Sequence, residues 1–100
     1  MLRMSPGEWT FLSNHGHVLV SLARDPDIRL RDVADAVGIT ERAVQQIVRD
    51  LAEQGYVHKE RVGRRNHYQV VREAGFRHDL EAHVHLGEFL DLVTRPARDR

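Results

Sequence analysis

One hundred residues with a formal net charge of zero and no cysteine support one domain with a single core. The composition excludes a disulfide framework, a thiolate nucleophile and a cysteine metal site, and no apolar run approaches the roughly 20 residues that span a bilayer. No secretory leader is recognisable, so a cytoplasmic protein without membrane contact is expected.

Residues 1–12 leave two readings open. Ser5-Pro6-Gly7-Glu8 has the form of a capping box with proline at the first helical position. Trp9, Phe11 and Leu12 equally suit an extended arm packed on the core. From Ser13 the signals are firmer. Ser13 can cap a helix whose apolar face is Val18, Leu19 and Leu22, closing near Asp25-Pro26. Pro26 then favours a brief extended segment over residues 28–30. A short helix over residues 31–37 places Val33, Ala34 and Val37 on one face and stops at Gly38. Thr40 caps the next helix, with Glu41 in its first turn, where the helix dipole favours an acid. Val44, Ile47, Val48 and Leu51 form its apolar stripe, and Gly55 ends it. Two β-rich runs follow, 56–62 and 67–71, joined by a turn of Gly63-Arg64-Arg65-Asn66. A last helix is expected over about 79–93, before Thr94-Arg95-Pro96 stops it, with a frayed tail beyond.

The neutral total hides a polarised chain. Between Val57 and Tyr68, Lys59, Arg61, Arg64 and Arg65 face one acid, Glu60. Between Gln69 and Val93, Arg72 and Arg77 face Glu73, Asp79, Glu81, Glu88 and Asp91. Distribution decides what a charged partner meets.

Gly38 permits a sharp turn between two short helices, so the second projects from the surface. With its apolar stripe inward, Arg42, Gln45, Gln46 and Arg49 point outward. Arginine forks onto guanine and glutamine pairs with adenine, whereas a plain solvated helix face carries the same residues because they are good helix formers. The hairpin tilts the choice toward base contact. Adjacent Arg64 and Arg65 at its tip exceed what edge-strand protection needs, and beside a helix-turn-helix they can reach phosphates or a narrow minor groove.

The stretch from Leu30 to Val57, followed by Arg61-Val62-Gly63-Arg64-Arg65-Asn66-His67-Tyr68, resembles the winged helix-turn-helix of small prokaryotic transcriptional regulators. MarR-like and ArsR-like groups are the nearest types. The resemblance implies a mainly α fold with a small β-hairpin: a three-helix core plus wing and a C-terminal dimerisation helix. It implies an N-terminal arm (1–12), a DNA-binding domain (13–72), a dimerisation helix (73–95) and a tail (96–100). Double-stranded DNA and a second copy of the chain are the implied partners, with an unknown small-molecule or metal effector possible in such proteins. The recognition-helix contacts would be Thr40, Arg42, Ala43, Gln45, Gln46 and Arg49. Those of the wing would be Lys59, Arg61, Arg64, Arg65, Asn66 and His67.

Pairing has independent support, since Leu80, Val84, Leu86, Phe89, Leu90 and Val93 spread wider than one contact stripe. These six are the expected dimer interface. The same helix invites a metal reading. Asp79/His83 and Glu81/His85 stand at i, i+4, and His85/Glu88 at i, i+3. Some ArsR-like sensors bind metal on terminal helices, which makes Glu81, His85 and Glu88 the candidate ligands. His83 and His85 lie on different faces, and each pair also works as a salt link, so no metal or other cofactor is expected. His15 and His17, in a first turn where a positive charge opposes the dipole, read as neutral surface or packing residues. No nucleophile motif, glycine-rich phosphate loop or His-Glu-x-x-His is present, so no enzymatic activity is expected. Two alternatives to a DNA-binding regulator stay open: a metal-responsive ArsR-like sensor, and a winged helix used for protein–protein contact.

Overall fold

Among the described residues, four helices and one hairpin follow in the order α1 (Asn14–Arg24), α2 (Leu30–Val37), α3 (Glu41–Glu53), β1 (Val57–Val62), β2 (Arg65–Val70) and α4 (Leu86–Val93). The computed structural model describes residues 9–97. Local chemistry sets the first three helices. Ser13 Oγ accepts from the Gly16 N–H (3.2 Å) and Thr40 Oγ1 from the Ala43 N–H (3.0 Å), each satisfying a helix-start donor that has no partner within the helix. Gly38 closes α2 in the left-handed region at φ +86°, its N–H donating to Ala34 O.

The apolar stripes meet as expected. Val18, Leu19 and Leu22 of α1, Val33 and Ala34 of α2, and Val44, Ile47, Val48 and Leu51 of α3 are all buried, joined by Val57 and Tyr68 from the hairpin. Each buried Val, Leu or Ile side chain contributes about 1.5–3 kcal/mol by leaving water. The hairpin is fastened to this core by backbone bonds as well: the Tyr68 N–H donates to Pro26 O and the Val71 N–H to Tyr56 O, both at 2.8 Å.

The β-turn is shorter than the sequence reading. Val62 pairs with Arg65 across an antiparallel register, leaving only Gly63-Arg64 as the loop. Gly63 takes φ +63°, while no non-glycine residue has positive φ among the described residues. That is the II′ pattern, whose twist matches the strands and which wants glycine first. Arg65 and Asn66, expected in the turn, therefore belong to β2.

The N-terminal arm and the last helix also differ. Trp9 is 81% and Phe11 94% exposed, so neither packs on the core; only Leu12 is half-buried. The Ser5–Glu8 motif lies outside the described residues. Helix α4 begins at Leu86 rather than near residue 79. Gly75 and His85 form an isolated antiparallel bridge, and the Leu86 and Gly87 N–H groups donate to Ala74 O and Arg72 O (2.8 Å each). The chain between them turns back on itself. A Cβ on Gly75 would lie 2.7 Å from the Ala82 carbonyl oxygen, so this close backbone approach needs glycine. A helix over 79–84 would have had little to bury, for Leu80 is 77% exposed.

The expected interface residues change accordingly. Leu86 and Leu90 are 1% and 2% exposed within the core of their own chain, which removes them from any interface. Phe89 and Val93 pack partly against that core, Phe89 edge-on to Phe76 with ring centroids 5.5 Å apart. Val84 is half-buried. The helical alignment of Asp79 with His83 and Glu81 with His85 does not occur. Glu88 Oε1 instead accepts the His85 N–H (3.2 Å) at the start of α4. Among the described residues no group of three His, Cys, Asp or Glu side chains could hold a metal ion, and no helix is long and apolar enough to cross a membrane.

Candidate nucleic-acid interface

Helix α3 presents two faces because its apolar residues recur at helical spacing and its polar ones fill the gaps. Arg42, Gln45, Gln46 and Arg49 are exposed and Ala43 half-buried. With Thr40 at the capped N-terminus they line one open depression of about 630 Å³. All six residues expected on the recognition helix thus share one surface, which projects from α2 through the Gly38-Ile39-Thr40 turn.

Antiparallel pairing sorts the hairpin side chains by face. Lys59 pairs with Tyr68, and Arg61 with Asn66. Because Tyr68 is buried, Lys59 and Asn66 stand on the face turned toward α3, and both border a hollow reached by Gln45 and Arg49. A second hollow, of about 510 Å³, runs between the wing and the starts of α2 and α3. Arg29, Gln45, Arg64, Arg65 and Asn66 line it. Gln45 borders the α3 depression and both hollows, so α3 and the wing flank one continuous surface.

Not every expected wing residue is free to reach outward. Arg61 donates from Nε to Gly63 O (3.1 Å) and so braces the turn. His67 stands on the opposite strand face, half-buried, with Nδ1 2.8 Å from Asp27 Oδ1. That contact and the Tyr68–Pro26 bond latch the hairpin to the connector before α2; His67 is spent there. Arg42, Arg64 and Arg65 are exposed and make no hydrogen bond or ion pair among the described residues.

Two features lie outside the sequence reading. Arg29 enters the wing hollow, and nothing near it in the chain marks it, because its neighbours there are Arg64 and Arg65. The second is a chain of polar contacts running from α1 into α3. His15 Nε2 meets Asp50 Oδ2 (2.9 Å), Asp50 Oδ1 accepts from Gln46 Nε2 (3.0 Å), and Gln46 Oε1 accepts from Arg49 Nη1 (3.1 Å). Hydrogen bonds from His15, then from Gln46, hold the Asp50 carboxyl below its ordinary range. His15 is therefore a partner of α3 rather than a plain surface residue. His17 meets Thr10 Oγ1 at 3.1 Å. Beside His15 lies a cleft of about 250 Å³ that also touches Tyr56 and Arg77, below the roughly 300–1,000 Å³ usual for ligand pockets.

A three-helix core, a glycine turn into a third helix with one exposed polar face and a basic two-stranded wing together define a winged helix-turn-helix domain. Residues 10–65 match the model of the MarR family, and the chain belongs to that family. Its fold is similar to the crystal structure of the PcaV transcriptional regulator from Streptomyces coelicolor in complex with its natural ligand. The TM-score is 0.55 and the identity 23%, over 87% of this chain and 63% of that one. This chain thus spans less than two thirds of the PcaV chain's length. No protein with a curated description matches it.

Proposed function

We propose that this chain is a transcriptional regulator that binds double-stranded DNA sequence-specifically, as a homodimer on a pseudo-palindromic operator, in the cytoplasm. The observation that carries this reading is the pairing of two chemistries on one surface. Base-reading side chains on α3 and the unpartnered wing arginines Arg64 and Arg65 meet at Gln45.

In this reading α3 enters the major groove. Arg42, Gln45 and Gln46 meet base edges, with Ala43 against a thymine methyl. Thr40, the α3 N-terminus, Arg49, Lys59 and Asn66 meet the backbone, as do Arg64 and Arg65 from the wing. Arg29 joins the backbone contacts. Two copies related by a two-fold axis would read half-sites about one helical turn apart. Pairing is supported by the large apolar side chains left in water: Trp9, Phe11, Leu80 and Leu92 are 81%, 94%, 77% and 62% exposed. No enzymatic role is proposed.

Gel-shift titration against the DNA upstream of the chain's own operon, across a salt series, tests the reading. Sequence-dependent binding that weakens steeply with salt is expected. Absence of binding at low salt, with retention on an acidic protein partner instead, would replace the regulator with a protein–protein module.

A further inference from the structure

The chain His15–Asp50–Gln46–Arg49 joins two helices and ends on the surface assigned to base reading. We propose that Asp50, backed by His15, is a positioning residue that fixes the Gln46 amide for base recognition and, through it, the Arg49 guanidinium for its backbone contact. The inference rests on α3 being the reading helix.

The geometry leaves little freedom in the assignment. An ionised carboxylate only accepts, so the His15 nitrogen facing it carries the proton. For the same reason Gln46 must turn its amide nitrogen to Asp50, and Arg49, which only donates, must face the amide oxygen. A flipped amide would set oxygen against carboxylate and N–H against guanidinium. The network therefore selects one of the two amide orientations, which in an isolated glutamine interchange freely.

Both ends of the Gln46 amide keep capacity for DNA. The oxygen has a second lone pair and the nitrogen a second hydrogen, which is the acceptor–donor couple that adenine asks for. Arg49 commits one N–H and keeps four. Holding these side chains before DNA arrives reduces the rotamer freedom lost on binding. The anchor for this is His15 on α1, so the reading face is referenced to the core rather than to α3 alone.

Asp50→Ala has two consequences that point in opposite directions. Removing a negative charge near phosphates favours every DNA sequence, whereas freeing Gln46 lowers discrimination at the base pairs it reads. The test measures relative affinities of the full-length protein for operators varied one base pair at a time. Asp50→Ala is expected to lower discrimination about three- to tenfold, at the same positions as Gln46→Ala, with non-specific affinity unchanged or higher. Adding Asp50→Ala to Gln46→Ala should cost nothing further. Asp50→Asn, whose amide oxygen can still accept from Gln46, should retain most of the discrimination. In the free protein, the Gln46 side-chain amide resonances should move in both Asp50→Ala and His15→Ala. An equal shift for all sequences, an additive double mutant, or unmoved Gln46 resonances would each overturn the proposal. A wild-type protein with no base preference would instead show that the reading of α3 itself fails, even where the resonances move as expected.

Discussion

The wing arginines offer the sharpest quantitative test of the DNA reading. Arg64 is the second residue of the two-residue turn and Arg65 the first of β2, opposite Val62. Both are exposed and neither is engaged elsewhere among the described residues. Each can thus neutralise one phosphate without first breaking a contact of its own. On B-DNA the slope of log K against log salt is about 0.9 per phosphate neutralised, so Arg64→Ala with Arg65→Ala should reduce it by about 1.8. Between 50 and 200 mM salt, that is about a 12-fold smaller loss of affinity than the wild type suffers. The reduction should be similar on operator and unrelated DNA, since phosphates carry no sequence. Fluorescence anisotropy over a salt series on both DNAs measures it. The double lysine variant should keep the slope, because a point charge suffices. Arg95→Ala, which removes one charge beyond α4, should leave it unchanged. A slope unaltered by the double alanine variant would remove the wing from the mechanism.

Two further outcomes test the core and the pairing surface. Leu90→Ala should destabilise the fold by about 2–5 kcal/mol in urea unfolding, because Leu90 is 2% exposed in the core of its own chain. Leu92→Asp, at a side chain 62% exposed, should leave the urea midpoint of the isolated chain nearly unchanged and move the sedimenting species from dimer toward monomer. At high pH, Tyr68 makes stability pH-dependent. Burial pushes its phenol above the ordinary value of 10.0, with Asn66 partly opposing. The unfolded chain therefore ionises first. The stability is fully present below pH 10.0 and is lost as pH rises through the higher folded value. Urea midpoints between pH 9 and 12 should fall with that profile in the wild type and more gently in Tyr68→Phe; equal slopes would refute it.

The part of the fold that local chemistry dictates was legible in the sequence. Ser13, Thr40 and Gly38 end or start helices by bonds within a few residues, and the stripe Val44, Ile47, Val48, Leu51 is buried as its spacing predicts. That stripe leaves Arg42, Gln45, Gln46 and Arg49 outward, and the resemblance adds Thr40 and Ala43 to the expected contacts. What failed depends on partners distant in the chain. Leu86 and Leu90 look like a surplus apolar face until α1 is placed beside them, since α4 packs on α1 more than sixty residues earlier. The 79–83 segment carries helical pairs, yet backbone pairing of Gly75 with His85 overrides them. His67 reads as a wing cation and is taken by Asp27, forty residues away.

The same contacts explain how a chain with no net charge could present a basic surface. Asp27 lies against His67, Asp50 against His15, and Asp91 against Arg72, each within 2.9 Å. Such exposed pairs contribute little to stability, of order 0–1 kcal/mol each. Their larger effect is on the field. Asp27 and Asp50 both adjoin the proposed DNA surface, and each is hydrogen-bonded there to a histidine. Arg42, Arg64 and Arg65 make no ion pair among the described residues, although Asp27 and Glu41 line the hollow that Arg64 and Arg65 border, while Glu73, Asp79 and Glu81 lie in the segment after β2. Replacing Asp27 by Ala would then have two consequences with opposite signs: one fewer carboxylate near DNA, and a wing no longer held at His67. The His67 latch helps to fix where Arg64 and Arg65 sit relative to α3, so a fall in affinity for operator and unrelated DNA alike, outweighing the gain from the lost carboxylate, is the expected result. Unchanged preference with uniformly tighter binding would show that Asp27 acts through charge alone.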